Sequence, residues 1–183
     1  MGWVRSKPVY VDLAVVPGAG RHLFASMGER GARAVRRALP ESPENLTHLH
    51  TGDGAPPEAI VLRSAAFLLA RLEAELKSSP ASTALYLAGP EQFIWRAFRI
   101  GRDCGLSLDR ILAELAGSAA RTVYCVHCKA FTANVVTNIV PCSGCGHTLF
   151  VRDHFSRRLA AYAGVRVDAE VPGELPEQEV LYA

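Results

Sequence analysis

The sequence predicts an α/β protein: a small parallel sheet flanked by helices over residues 1–117, a β-rich zinc-ribbon module with a following helix over 119–166, and an acidic tail over 167–183. Three observations predict it. Apolar β-branched runs alternate with stretches whose apolar residues recur every three or four positions, the pattern of a parallel sheet with helices on its faces. Four cysteines fall in two Cys-x-x-Cys pairs, Cys125 with Cys128 and Cys142 with Cys145, with thirteen residues between the pairs. Gly117 and Ser118 form a hinge between the two regions.

In chain order, residues 8–16 are rich in valine and read as the first strand, ended by Gly18-Ala19-Gly20. Ser26 is placed to cap a helix through Leu39, with Glu29 completing a capping box, Ala32, Val35 and Leu39 at helical spacing, and Pro40 and Pro43 as stops. Residues 46–50 read as a short strand and 51–57 as a loop. Residues 67–77 are a strong helix, with Ser64 near its start. Residues 84–87 form a short apolar strand. Residues 91–104 are helical, with Phe93, Ala97, Ile100 and Cys104 on one face and Gly105 ending the helix. Residues 108–115 fit strand or helix equally. In the second region, Val123-Tyr124 leads into the first cysteine turn, Asn134 and Asn138 break a β-branched run, and residues 148–151 read as a strand. Residues 153–165 place Phe155, Leu159 and Tyr162 at helical spacing and are expected to form a helix. The tail carries Glu170, Glu174, Glu177 and Glu179, and its apolar end, Val180-Leu181-Tyr182, is expected to dock on a neighbour.

Two cysteines three positions apart aim both sulfurs at one ion, so the two pairs together offer four thiolates in a tetrahedral set. The ligands expected are Cys125, Cys128, Cys142 and Cys145. Zinc is the expected metal, with iron as the alternative, because the run between the pairs is short and aromatics are few for a rubredoxin. About 35 residues bury too little apolar surface to fold unaided, so the ion is expected to hold the ribbon together. Four thiolates leave no open coordination position, and no catalytic residue is assigned. His127, inside the first turn, could replace a cysteine as ligand but with four cysteines present reads as exposed; His147 is placed to orient a sulfur, and none of His127, His147 and His154 reads as catalytic. Lys129, Arg152, Arg157 and Arg158 offset the cage's negative charge or form a solvated face. Arg30, Arg33, Arg36 and Arg37 read as a solvated helix face. Cys104 reads as a small core residue.

The 183 residues carry 49% hydrophobic side chains, enough for a sizeable core, and a net charge of only +2, which argues against nucleic acid as a partner. No apolar run is long enough to span a membrane, the N-terminus lacks a signal core, and Gly2 lacks the context of a myristoylation site. Reduced metal-binding cysteines fit a cytoplasmic location. Gly18-x-Gly20 lacks the third glycine of a dinucleotide fingerprint, with Leu23 in its place, and reads as a plain turn.

Two resemblances follow from particular segments. Leu85-Tyr86-Leu87-Ala88-Gly89-Pro90-Glu91-Gln92-Phe93, a helix, then Gly105 and Arg110-Ile111 resemble the last strand–turn–helix of the nicotinamide half of ferredoxin reductases. Ala88 stands where that family has a cysteine, the family's glycine-rich Thr-Pro turn is missing, and no flavin-holding barrel is expected before the unit. The resemblance therefore implies a degenerate module with no nicotinamide site. Second, Cys125-x-x-Cys128 with Cys145-Gly146-His147-Thr148-Leu149-Phe150-Val151-Arg152-Asp153-His154-Phe155 resembles the C-terminal domain of the small A subunit of dimethylamine monooxygenase, a family of heme-dependent oxidative N-demethylase complexes. That resemblance covers nearly all of the chain. It implies an accessory subunit, not catalytic on its own. Heme, and FMN with an iron–sulfur cluster, are expected on partner subunits that oxidise dimethylamine with dioxygen and NADPH to methylamine and formaldehyde. A rubredoxin-like electron-transfer subunit and a nucleic-acid-binding zinc ribbon are the alternatives.

Overall fold

A computed structural model describes residues 7–39, 44–169, 173 and 175–183. The expectations for Gly2, Pro40, Pro43, Glu170 and Glu174 lie outside the described residues. The chain divides into two compact units, residues 10–118 and the described residues from 119 onward together with 7–9.

The first unit is a five-stranded parallel sheet. Its elements are β1 (Arg21–Met27), α1 (Gly28–Ala38), β2 (Leu46–Thr51), β3 (Ile60–Val61), α2 (Ala65–Lys77), β4 (Thr83–Gly89), α3 (Glu91–Asp103) and β5 (Ile111–Leu115). The strand order is β3-β2-β1-β4-β5, and every pairing is parallel. Helix α1 covers one face, where Phe24, Ala34, Val35, Ala84, Tyr86 and Ala88 form a buried cluster. Helices α2 and α3 pack together on the other; Gly101 of α3 lets Leu85 and Ile111 approach. The α/β reading with a parallel sheet is therefore correct.

The first strand and helix start lie elsewhere than expected. Residues 8–16 are extended but form no strand. Val11 N–H reaches the Ala113 carbonyl at 3.0 Å, whereas the Leu13 and Val16 amides donate to side chains, Glu114 Oε2 and Tyr86 Oη, each at 2.9 Å. The segment is a strap held partly by side chains, and Pro8 and Pro17 each lack a ladder donor. The true first strand, β1, is central and buried on both faces, so it shows no apolar/polar alternation. Ser26 belongs to β1 and caps nothing; the residue before α1 is Met27, with no side-chain cap. Gly18 and Gly20 precede β1, and Gly20 N–H donates to the Ser82 carbonyl at 3.1 Å. The turn that joins β1 to α1 uses Gly28 at φ 72°. It places Glu29 in the first turn of the helix, where an acidic side chain opposes an anion.

Apart from the two-residue edge strand β3, which the sequence reading did not include, the other elements follow the sequence closely. Ser64 caps α2 by accepting from the Phe67 amide at 3.4 Å. Helix α3 ends in a Schellman motif: Leu106 N–H donates to the Gly101 carbonyl and Gly105 N–H to that of Arg102, each at 3.0 Å, with Gly105 at φ 91°. The ambiguous 108–115 run splits into a short 3-10 turn and β5. Cys104 is half-buried just after α3, and burial raises its thiol pKa, which fits a packing role.

A polar chain runs through the α1-facing core. Ser26 Oγ lies 2.7 Å from His48 Nε2 and 2.8 Å from His50 Nδ1, and His50 Nε2 lies 3.2 Å from the carbonyls of Gly52 and Asp53. With neutral rings, the carbonyls require a proton on His50 Nε2. Ser26 then donates to His50 Nδ1 and accepts from His48 Nε2. His48 Nδ1 is left as a buried lone pair without a partner.

The second unit is a five-stranded mixed sheet: β6 (Arg121–Cys125), β7 (Phe131–Val135), β8 (Ile139–Pro141), β9 (Thr148–Ser156) and β10 (Ala161–Arg166). Their order is β7-β6-β10-β9-β8, and only β6 with β10 is parallel. The helix expected over 153–165 is absent; those residues form the β9–β10 hairpin, turned at Ala160 with φ 51°. Phe155 and Tyr162 do share a face, but as a cross-strand pair with ring centroids 4.9 Å apart. Seven residues is two helical turns, and equally the span of this hairpin, so the apolar spacing fits both. Tertiary pairing decides: β10 lies between β6 and β9, where Gly164 admits Val123 and Leu149. A Cβ at Gly164 would stand 2.6 Å from Val123 Cγ1 and 2.9 Å from Leu149 Cδ1. Gly164→Ala is therefore expected to destabilise this unit by about 1–3 kcal/mol, read as a lowered urea midpoint.

Candidate metal centre

Each cysteine pair sits on a turn that leaves a strand, and the two turns repeat one hydrogen-bond pattern seventeen residues apart. Cys125 N–H donates to the Ala130 carbonyl at 2.9 Å, as Cys142 N–H does to that of His147 at 2.9 Å. Lys129 N–H donates to the Cys125 carbonyl at 2.9 Å, as Gly146 N–H does to that of Cys142 at 3.0 Å. The residue after each second cysteine has positive φ, 70° at Lys129 and 72° at Gly146. Lys129 tolerates that conformation while its ammonium donates to the Val126 carbonyl at 2.7 Å.

The turns bring Cys125, Cys128, Cys142 and Cys145 together, with all four sulfurs within 4.8 Å of one another. Cys125 Sγ lies 3.9 Å from Cys145 Sγ, and Cys128 Sγ lies 3.5 Å from Cys142 Sγ. These are free thiols, not bridges. A tetrahedral ion with sulfur at about 2.3 Å needs sulfur edges of about 3.8 Å, so the residues present fit such an ion. Cys125 and Cys142 are buried, and Cys128 and Cys145 are partly so. Gly144 is required by space: a Cβ there would meet the Ala130 Cβ at 2.6 Å and Cys128 Sγ at 3.1 Å.

Two of the four thiols, Cys142 and Cys145, are shifted in opposite directions. The Cys142 thiol is lowered to about 6, chiefly by the backbone amide of Cys145, with that of Gly144 adding to it. The His147 amide also draws the Cys145 thiol down, but burial and the three neighbouring thiols outweigh it and push this thiol up to about 12. A thiolate is the form that binds a metal ion, so a divalent cation between these sulfurs would favour their ionised state.

A family model described as "Dimethylamine monooxygenase subunit DmmA-like, C-terminal domain" matches residues 122–165, which include all four cysteines. The chain is also similar to a heme-dependent oxidative N-demethylase delta subunit of Ectopseudomonas mendocina (strain ymp). The two are 32% identical over 167 residues, covering 91% of this chain and 91% of that one. The chain belongs to the DmmA-like family. Among solved structures, the ferredoxin reductase in carbazole 1,9a-dioxygenase (FAD apo form) aligns over 55% of the chain at 19% identity with a TM-score of 0.41. The chain spans 34% of that reductase's length, and a likeness at that score bears no weight.

In this DmmA-like chain the other residues singled out by sequence are spread widely. His127 is exposed and His147 half-buried, with ring centroids 5.0 Å apart. His154 lies within β9 rather than at a helix start. Arg152, Arg157 and Arg158 are exposed on the β9–β10 hairpin. On α1, Arg33 pairs with Glu29 at 2.6 Å and Arg37 with Glu114 at 2.6 Å, as a solvated face would. Trp95, beside the Gly89-Pro90 turn, is buried and donates from Nε1 to Tyr10 Oη at 2.9 Å.

Sequence reading missed the residues that anchor the tail. Asn138 amide N–H donates to the Glu179 carbonyl at 3.1 Å, and its side chain donates to the Glu177 carbonyl and accepts from the Glu179 amide, both at 2.8 Å. Buried Arg121 lies between the rings of Tyr162 and Tyr182, at 3.8 and 3.6 Å, and pairs with Asp153 at 2.8 Å. The end of the tail thus packs on its own unit, leaving Val180 and Leu181 exposed. A buried asparagine in a β-branched run was the available signal: its amide satisfies backbone groups of a segment too short to pair fully.

Proposed function

We propose that this chain is an accessory, metal-stabilised subunit of a dimethylamine-oxidising N-demethylase. In this reading, catalysis occurs on partner subunits that carry heme, and FMN with an iron–sulfur cluster. The observation that carries it is 32% identity to the N-demethylase delta subunit over an alignment covering 91% of both chains, with the four-sulfur cluster inside the segment the family model matches. Cys125, Cys128, Cys142 and Cys145 hold zinc, which takes four thiolates tetrahedrally and supplies no redox chemistry. The ion ties the β6 end to the turn after β8 and so fixes the mixed sheet. The tail, clamped by Asn138 and Arg121, presents Val180 and Leu181 as a contact for a partner. The reduced cysteines fit a cytoplasmic setting.

The test is to purify the chain together with the heme and flavin subunits of its complex and measure zinc, iron, heme and flavin in the same fraction, with formaldehyde release from dimethylamine as the activity. The chain alone is expected to be colourless and to contain zinc, and leaving it out is expected to cut both assembly and formaldehyde release. A red chain that bleaches on reduction replaces the zinc reading with electron transfer through iron. A heme–flavin complex of full activity without this chain overturns the accessory role.

A further inference from the structure

The two cysteine turns are related by a seventeen-residue offset, and their side chains break that relation on one side of the cage. Positions 130 and 144 are the counterparts of 147 and 127. The first pair, Ala130 with Gly144, is small and so tightly packed that an added Cβ on Gly144 would overlap Ala130. That side is closed. On the other side the equivalent positions hold two imidazoles, His127 exposed and His147 half-buried, facing each other at 5.0 Å with interplanar angle 73°. One ring nitrogen of each and Cys145 Sγ all lie within 4.8 Å of one another. They form a second group of metal-ligand atoms that shares one sulfur with the cage.

We propose that His127, His147 and Cys145 bind a second divalent transition-metal ion of the zinc class, bridged to the caged ion through the Cys145 sulfur. The chemistry of the donors points there. A thiolate keeps further lone pairs after binding one cation, and neutral imidazole suits borderline metals. A dication held by four thiolates carries a formal charge of −2, and a second dication on two neutral imidazoles brings the pair of ions to zero. Three protein ligands leave a fourth position open, whereas the caged ion has none. The solvent exposure of His127 gives the second ion a way in. This inference rests on the reading of the four cysteines as a metal cage.

Cobalt(II) titration of the full chain, stripped of metal and kept reduced, tests it. The first equivalent is expected to give thiolate charge-transfer bands and tetrahedral ligand-field bands. A second, weaker equivalent is expected to shift them and saturate at two ions per chain. His127→Ala and His147→Ala are each expected to weaken the second equivalent by more than about 100-fold, since losing even a residue that only supports a ligand costs up to that much. The bands of the first equivalent serve as the fold control in both variants and are expected to be unchanged. Saturation of the unaltered chain at one ion overturns the second site and leaves the cage standing. Two ions bound by both variants also overturns it, since the second ion then sits elsewhere. No tight first equivalent overturns the cage, and the second site with it.

Discussion

Cys142→Ser is expected to release the metal and to unfold the mixed sheet while the parallel sheet stays folded. Cys142 is buried, and its sulfur accepts from backbone amides that lower its thiol pKa to about 6. A serine hydroxyl does not ionise near neutral pH and binds zinc far more weakly than a thiolate. A structural zinc supplies about 10–16 kcal/mol of apparent binding free energy, more than a unit of this size retains from burial alone. The sheet also depends on the cage by connectivity: β6 ends at Cys125, and the second turn links β8 to β9. Metal analysis after gel filtration and amide exchange across the two units check this. Loss of zinc is expected with fast exchange in β6 to β10 and unchanged exchange in β1 and β4, whose core is separate. Co-purification with the partner subunits should fall with the metal. A metal-free variant that keeps its β6–β10 protection and supports full turnover contradicts the account. A chelator acting on the unaltered chain should reproduce the effect, and added zinc should reverse it.

Acid is expected to destabilise the parallel-sheet unit through His48. Its pKa is lowered to about 4, by burial first and by the neighbouring His50 second. The hydrogen-bond chain explains the preference for the neutral ring: His48 Nε2 already donates to Ser26, and a proton on Nδ1 would be buried without a partner. In the unfolded chain the imidazole takes up its proton near pH 6.5. Above that pH both states are neutral and the contribution is fully present. As pH falls from 6.5 towards 4, only the unfolded state gains the proton, so stability is lost, by about 3 kcal/mol at the lower end. Burial lowers His22 as well, with the same sign. Urea midpoints at pH 7 and pH 4.5 should show the loss. In His48→Gln, whose amide also donates to Ser26, the dependence should flatten by about one proton, which separates this histidine from the carboxylates that titrate nearby. An unchanged slope in the variant would assign the acid sensitivity to other groups.

Local chemistry made much of this molecule legible. Ser64, the Gly105 helix end, the apolar run of β4 and the cysteine spacing each report a local requirement, and each lies where it was expected. The errors share one cause, which is that tertiary pairing outweighs local pattern. β1 hides its strand character because both faces are buried, whereas residues 8–16 look more strand-like and form a strap. Residues 153–165 have helical spacing and still form a hairpin, because β10 completes a sheet whose other strands lie up to forty residues away. The gathering of the four cysteines was legible, since geometry there is set within each turn. The facing imidazoles were not, because the contact of His127 with His147 arises only when the two turns close on each other. Arg121 and Asn138 were missed for the same reason: their partners are distant in sequence, Asp153, Tyr162 and Tyr182 for Arg121 and tail backbone for Asn138.

Zinc-edge X-ray absorption on the full chain loaded with one equivalent tests the central claim most directly. The account predicts four sulfur neighbours at about 2.3 Å and no nitrogen or oxygen in the first shell. A shell of nitrogen and oxygen donors, or a chain that takes up no ion because its cysteines are joined as disulfides, would contradict it.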